Sequence, residues 1–302
     1  MNRPEAAIPL EIPHTEAEHG IVSDLMALTK ARLSLLVVVT TFVGACAASG
    51  PHIEWLRVFN AVFGTALAAF AAAVLNQCIE SNVDRLMERT RQRPLPAGRM
   101  RPATALTLGI VLGVLGVAWL WFTANPMSAY LAAATILIYI AFYTPLKRKT
   151  SLCTIVGAVS GAIPPVIGWT AVQPSLDPGA WVLFGILFTW QMPHFLAIAW
   201  MYRDEYAQAG FVMIRRDDLT GSATATQSLL YTLALMLITT IPFFAGLNSS
   251  LYLVLGLLLD AAMLVCALRF LFDRTRPTAR MLFYASIFYL PLILGLMIFT
   301  KA

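Results

Sequence analysis

The stretch PATALTLGIVLGVLGVAWLWFTANPMSAYLAAATILIYIAFYTPL, Pro102 to Leu146, contains no Asp, Glu, Lys or Arg. A membrane crossing takes about 20 apolar residues as a helix, so this run is long enough to cross a bilayer twice. Asn125 and Pro126 sit in its middle, and the break at Thr123–Met127 divides it into an antiparallel pair. A second uncharged run, Leu219 to Leu259, divides in the same way at Gly246–Ser250. Outward from these two pairs the chain is cut by Pro, Asn, Gly and charge clusters into nine apolar segments. They lie near 31–49, 58–79, 103–122, 128–146, 152–172, 179–200, 225–245, 249–270 and 281–300. Composition agrees: 59% of the 302 residues are hydrophobic, 12% are charged and the mean hydropathy is +0.73, against roughly a quarter charged in soluble domains. The fold class is therefore all-α, a polytopic membrane protein of nine transmembrane helices around a central cavity. Soluble, disordered, collagenous and disulfide-framed classes are excluded.

The basic residues give an orientation, because short cytoplasmic loops retain Lys and Arg. With the amino terminus inside, Arg57 and Lys301 are the only two of the 21 basic residues left outside. An odd number of spans puts the carboxyl terminus external. Residues 1–29 carry Glu5, Glu11, Glu16, Glu18 and Asp24 with no apolar stretch, which fits neither a secretory signal nor an acid-poor transit peptide. They are read as a solvated cytoplasmic arm, and 30–302 as a single transmembrane domain. Cys46, Cys78, Cys153 and Cys266 stand singly, without redox or zinc spacing, and read as packing residues.

Ionisable groups at membrane depth are costly and tend to be functional. Asn76, Glu80, Asp84 and Glu88 follow one another at intervals of four, which on a helix turns each side chain by only about 40°. They form one stripe of oxygen ligands, suited to a hard divalent cation such as magnesium. Arg85, Arg89, Arg91 and Arg93 come next, then Pro94-Leu95-Pro96. Guanidinium groups pair with phosphate in fork geometry, although topology alone also demands arginines here. A second cluster, Arg203-Asp204-Glu205-Tyr206, closes the sixth span. Spans two and six run in the same direction, so Asp84 and Asp204 are expected to face one cavity and share a metal or metal pair. Lys147-Arg148-Lys149 follows span four at the same face, which suggests a repeat of roughly four helices per half.

On these residues the chain resembles the UbiA superfamily of intramembrane prenyltransferases, in its haem-modifying branch. That superfamily's first motif is Asn followed by Asp one, four and eight residues later; here it stands as Asn76, Gln77, Glu80 and Asp84. The run NQCIESNVDRLMERTRQRPLPAG from Asn76 to Gly98 carries the likeness furthest. YTPLKRKT from Tyr143, GAIPPVIGW from Gly161 and WQMPHFLAIAWMYRDEYAQAG from Trp190 extend it. The second motif is reduced to Asp204 with Gln208, and the likeness runs from about Lys30 to the carboxyl end.

The resemblance implies Mg2+ as cofactor, held by Asn76, Glu80, Asp84 and Asp204. It implies a diphosphate gripped by Arg93, Lys147 and Arg203, with Asp84, Asp204 and Lys147 as the catalytic set. The implied reaction is transfer of a farnesyl group from farnesyl diphosphate to the vinyl group of haem b, with addition of water, giving haem O. Farnesyl diphosphate, haem b and membrane lipid are the expected partners, with haem A synthase or oxidase-assembly proteins beyond them and no nucleic acid. The expected location is the bacterial inner membrane. His194, Tyr143 and Tyr206 are candidates for the acceptor side; for His194 a cross-helix hydrogen bond is an equal alternative. Asp260, near the centre of span eight, fits either a functional role or pairing with a neighbouring hydroxyl. A quinone or chlorin acceptor is the rival enzyme, and a secondary transporter the rival of another class.

Overall fold

The computed structural model describes residues 20–50 and 52–302. Among the described residues nine helices are long and apolar enough to cross a membrane. We number the helices α1 (Ile21–Leu28), α2 (Ala31–Ala48), α3 (Trp55–Asp84), α4 (Pro102–Thr123), α5 (Pro126–Leu146) and α6 (Cys153–Val172). Then follow α7 (Pro178–Met201), the short α8 (Arg203–Gln208), α9 (Ser222–Phe244), α10 (Ser250–Phe272) and α11 (Arg276–Phe299). All but α1 and α8 are spans, and each falls on its expected segment. The breaks have local causes: Asn125 Oδ1 accepts from Ser128 N–H to cap α5, and Gly246, at φ 68°, takes the left-handed turn after α9.

α6 packs on α2, α5 and α7, and α7 packs on α6, α9 and α11, so α6 and α7 form the middle of the bundle. The glycines of α6 make this possible, each facing a different neighbour. A Cβ on Gly157 would strike the Tyr143 ring of α5, one on Gly161 the Gln191 amide of α7, and one on Gly168 the Thr41 carbonyl of α2. On α2, Gly44 answers at the Pro165 carbonyl. Small residues that admit close backbone approach are how helices associate where lipid removes the hydrophobic drive. The outer faces of α4, α9 and α10 carry exposed Ile110, Val114, Leu237, Leu258 and Val265, as a lipid-facing surface requires.

Two features bring the site together. α3 has 30 residues, a rise of about 45 Å against roughly 30 Å of hydrocarbon; its last turns, with Asn76, Glu80 and Asp84, form one end of the helix. In α5, residues Ile138–Tyr143 adopt a π turn. Thr144 closes that turn, donating to the Tyr139 carbonyl from its N–H and, at 2.8 Å, from its hydroxyl, and Pro145, next in the chain, has no N–H to offer.

One expectation is corrected here. Residues 1–19 of the expected arm lie outside the described residues, but 21–28 form α1, which is docked rather than solvated. Leu28 is fully buried, and Asp24 accepts from Arg99 Nε and Nη2 at 2.8–3.1 Å. The amphipathic spacing of Ile21, Val22, Leu25 and Met26, all exposed, was hidden by the acidic residues around them.

Candidate active site

Asn76, Glu80 and Asp84 lie on successive turns of α3 and are all buried, Asp84 to 3% exposure. Each is met by a cation from a different element. Lys30, between α1 and α2, donates from Nζ to Asn76 Oδ1 at 2.7 Å. Lys147, at the end of α5, donates to both oxygens of Glu80 at 2.9 and 3.1 Å. Arg93 donates from Nη1 to Asp84 Oδ2 at 2.7 Å. Asn76 is also fixed through its amide, which donates to Thr144 Oγ1 at 3.1 Å; the π turn supplies that hydroxyl.

The electrostatics differ along the stripe. Burial pushes the Lys30 ammonium below its ordinary range, because its direct partner is a neutral amide. Burial also opposes charge on Lys147, but Tyr143 and the Glu80 carboxylate outweigh it and raise its pKa. Three cations against two carboxylates leave the site one charge positive, which suits an incoming anion. An all-oxygen set of two carboxylates and an amide fits magnesium completed by phosphate oxygens and water. Among the described residues no group of three or more His, Cys, Asp or Glu forms a protein-only cage.

Aromatic rings wall the cations. The Lys147 ammonium stands 4.6 Å from the Tyr143 ring and 5.7 Å from Phe211, and the Tyr139 ring lies tilted against Tyr143 at 4.9 Å. Tyr206 joins from α8, its hydroxyl accepting from Arg89 at 2.9 Å under a guanidinium 4.8 Å from its ring. The segment after α8 is pinned to the site by Val212 N–H donating to the Lys147 carbonyl at 2.6 Å.

Other expected members stand elsewhere. Asp204 does not reach the stripe: its partners are Arg276 at 3.1 Å and Arg203 at 3.7 Å, in an exposed setting. Arg203 itself lies over Trp200 at 4.4 Å and donates to that residue's carbonyl. Equal helix direction brought α7 to the right end of the bundle but did not set which way α8 turns. Glu88 leaves the stripe because α3 stops at Asp84, whose carbonyl accepts from Thr90 Oγ1; it pairs with Arg91 at 3.7 Å. His194 faces α11, where its Nδ1 lies 2.7 Å from Ser286 Oγ and its ring packs on Trp190 and Phe283. The cross-helix reading is the one realised. Asp260 accepts from Tyr289 O–H at 2.6 Å, and Tyr289 is 3.0 Å from Thr239 Oγ1.

The sequence reading missed Lys30, Thr144 and the role of Gln77. The Gln77 amide donates to the Ala27 and Leu28 carbonyls at 3.0 and 2.6 Å, tying down the end of α1. Lys30 had one available signal, a lone lysine at the edge of an apolar span.

Comparison with known proteins gives consistent findings. The UbiA prenyltransferase family matches residues 37–292. A protoheme IX farnesyltransferase of Solibacter usitatus is 41% identical over 287 residues, 92% of this chain and 98% of that protein. The mitochondrial protoheme IX farnesyltransferase of Homo sapiens is 38% identical over 92% of this chain and 62% of its own. Among solved structures, one concerned with digeranylgeranylglyceryl phosphate synthase superposes with a TM-score of 0.78 at 15% identity, covering 92% of this chain and 97% of that one. A UbiA homolog from Archaeoglobus fulgidus bound to GPP and Mg2+ superposes at 0.67 and 12% identity, covering 91% and 99%.

Proposed function

Because this chain belongs to the UbiA prenyltransferase family, we infer that it transfers the farnesyl group of farnesyl diphosphate to a vinyl group of haem b. Water adds to give the hydroxyethylfarnesyl product, haem O. The observation that carries the reading is the triple pairing of Asn76 with Lys30, Glu80 with Lys147 and Asp84 with Arg93. Magnesium, as in the prenyl-diphosphate-bound Archaeoglobus fulgidus homolog, would supply charge neutralisation on the leaving diphosphate, with Asn76, Glu80 and Asp84 as its protein ligands. With Glu80 and Asp84 serving the metal, Lys147 and Arg93, their partners in the structure, would be available as donors to the diphosphate. The protein thus holds its phosphate-binding cations ready, paired and desolvated, before substrate arrives.

The remaining steps are exclusion and orientation. Breaking the allylic carbon–oxygen bond develops positive charge on the farnesyl C1, and the faces of Tyr143 and Tyr139 can attract that charge. Burial of the stripe keeps bulk water away until the vinyl carbon has bonded to C1. We assign the site end of the bundle to the cytoplasmic face of a bacterial inner membrane and take the haem-copper oxidase assembly machinery as the downstream user of haem O. Purified protein supplied with haem b, farnesyl diphosphate and magnesium should release diphosphate and form a hydroxyethylfarnesyl haem detectable by mass spectrometry. A porphyrin product unchanged in mass would overturn the reading.

A further inference from the structure

A pair of metal ions needs acidic ligands from two sides of a site, and the fold brings them from one. Glu80 and Asp84 lie buried on α3, and among the described residues no third Asp, Glu, His or Cys groups with them. Asp204, the expected ligand from the other side, is exposed and bonded to Arg276 and Arg203. Gln208, one turn further along α8, and Gln77, beside Asn76, are both uncharged. The Gln77 amide is already committed to the Ala27 and Leu28 carbonyls. Three side-chain cations stand at the stripe instead: Lys30 on Asn76, Lys147 on Glu80 and Arg93 on Asp84.

We propose that this site takes a single magnesium ion with its diphosphate, and that Lys30, Lys147 and Arg93 supply the positive charge a second ion would otherwise bring. The inference rests on the farnesyl-transfer reading above and adds a metal count to it. Charge balance is the main argument. A prenyl diphosphate brings about three negative charges, two on its terminal phosphate and one on the inner. Together with Glu80 and Asp84 that makes about five, of which the three bonded cations offset three. One magnesium ion then completes neutrality. A second would leave an excess of about two positive charges among buried groups, where uncompensated charge is costly. The supply of ligands agrees. Magnesium is commonly held by one or two carboxylates together with substrate phosphates and several waters, which is what the stripe offers. Two ions roughly 3.5–4 Å apart would instead share the same two carboxylates, with no acidic group facing them from α8.

Manganese, a divalent ion that also suits oxygen ligands, makes the count measurable. The purified full-length protein is saturated with the unreactive thiolo analogue of farnesyl diphosphate, and bound Mn2+ is counted by electron paramagnetic resonance. The expected result is one Mn2+ per chain, with the spectrum of an isolated ion and a non-cooperative isotherm. Asp204→Asn should keep that ion at wild-type affinity, whereas Asp84→Asn should weaken it by about tenfold or more. Glu80→Gln serves in place of Asp84→Asn if that variant does not fold. Two ions per chain, a spin-coupled spectrum, or loss of bound Mn2+ in Asp204→Asn would overturn the single-ion site, even in a protein that makes hydroxyethylfarnesyl haem. One bound ion in a protein that forms no such product from haem b, farnesyl diphosphate and magnesium would overturn the functional reading and leave the single-ion site standing. Absence of bound Mn2+ in the presence of the analogue would overturn both.

Discussion

Lys147 and Glu80 show how much of the site depends on single pairs. Glu80 is buried and Lys147 partly so, and Lys147→Ala strands the carboxylate in a low-dielectric setting. Breaking one side of a buried pair costs about 3–5 kcal/mol. Adding Glu80→Gln to that variant removes the stranded charge and should restore most of the lost thermal stability in detergent, while product formation stays absent. Recovery of turnover in the double variant would show that the pair is only structural. Asp84→Ala, with its Arg93 partner released, should lower turnover by at least ~10²-fold in a protein that still folds. Lys30 offers a pH signature. Its depressed pKa means that it sheds its proton at lower pH than an ordinary lysine, so diphosphate affinity should fall early on the alkaline side. Lys30→Arg keeps the charge and should carry that affinity to higher pH, as binding isotherms across the range would record.

Elements explain which residues the sequence made legible. Asn76, Glu80 and Asp84 could be placed on one face because a single helix fixes their relation, and α3 keeps its period through all three. Asp204 could not be placed, because its direction depends on the break at Tyr202 between α7 and α8, and no periodicity crosses a break. Lys30, Thr144 and Gln77 depend on two other irregularities, the left-handed residue after α1 (φ 48 at Lys30) and the π turn before Pro145. Gln77 illustrates the gain in meaning. It stands where the superfamily's motif has Asp, and its amide donates to two carbonyls that an aspartate would repel. Gln77→Asp should free α1, raising amide exchange across residues 21–28 and weakening farnesyl diphosphate binding through Lys30. Pro145→Ala should let α5 continue as a regular helix, turning Thr144 away from Asn76. The expected result is a stable protein with turnover reduced at least several-fold; unchanged turnover would mean that the π turn does not serve the site.

Across the whole molecule the two ends use their charges differently. At the end away from the site, Arg57 donates to the Val172 carbonyl at the close of α6, and Lys301 donates to the Cys46 and Ser49 carbonyls at the close of α2. Both cations are helix C-caps, satisfying carbonyls that have no partner within the helix. At the other end Lys30, Arg93 and Lys147 are committed to the stripe, Arg99 holds α1, and Arg89 holds Tyr206. The positive excess at that end therefore serves these pairings as well as topology. It also makes the orientation testable independently of activity. If the site end faces the cytoplasm, a cysteine introduced at Gln92, in a background lacking the native thiols, should react with a membrane-impermeant maleimide only after cells are permeabilised. One introduced at Ser175, in the connection between α6 and α7, should react in intact cells. The reverse pattern would put the diphosphate site outside the cell, where the substrates of the proposed reaction are not made.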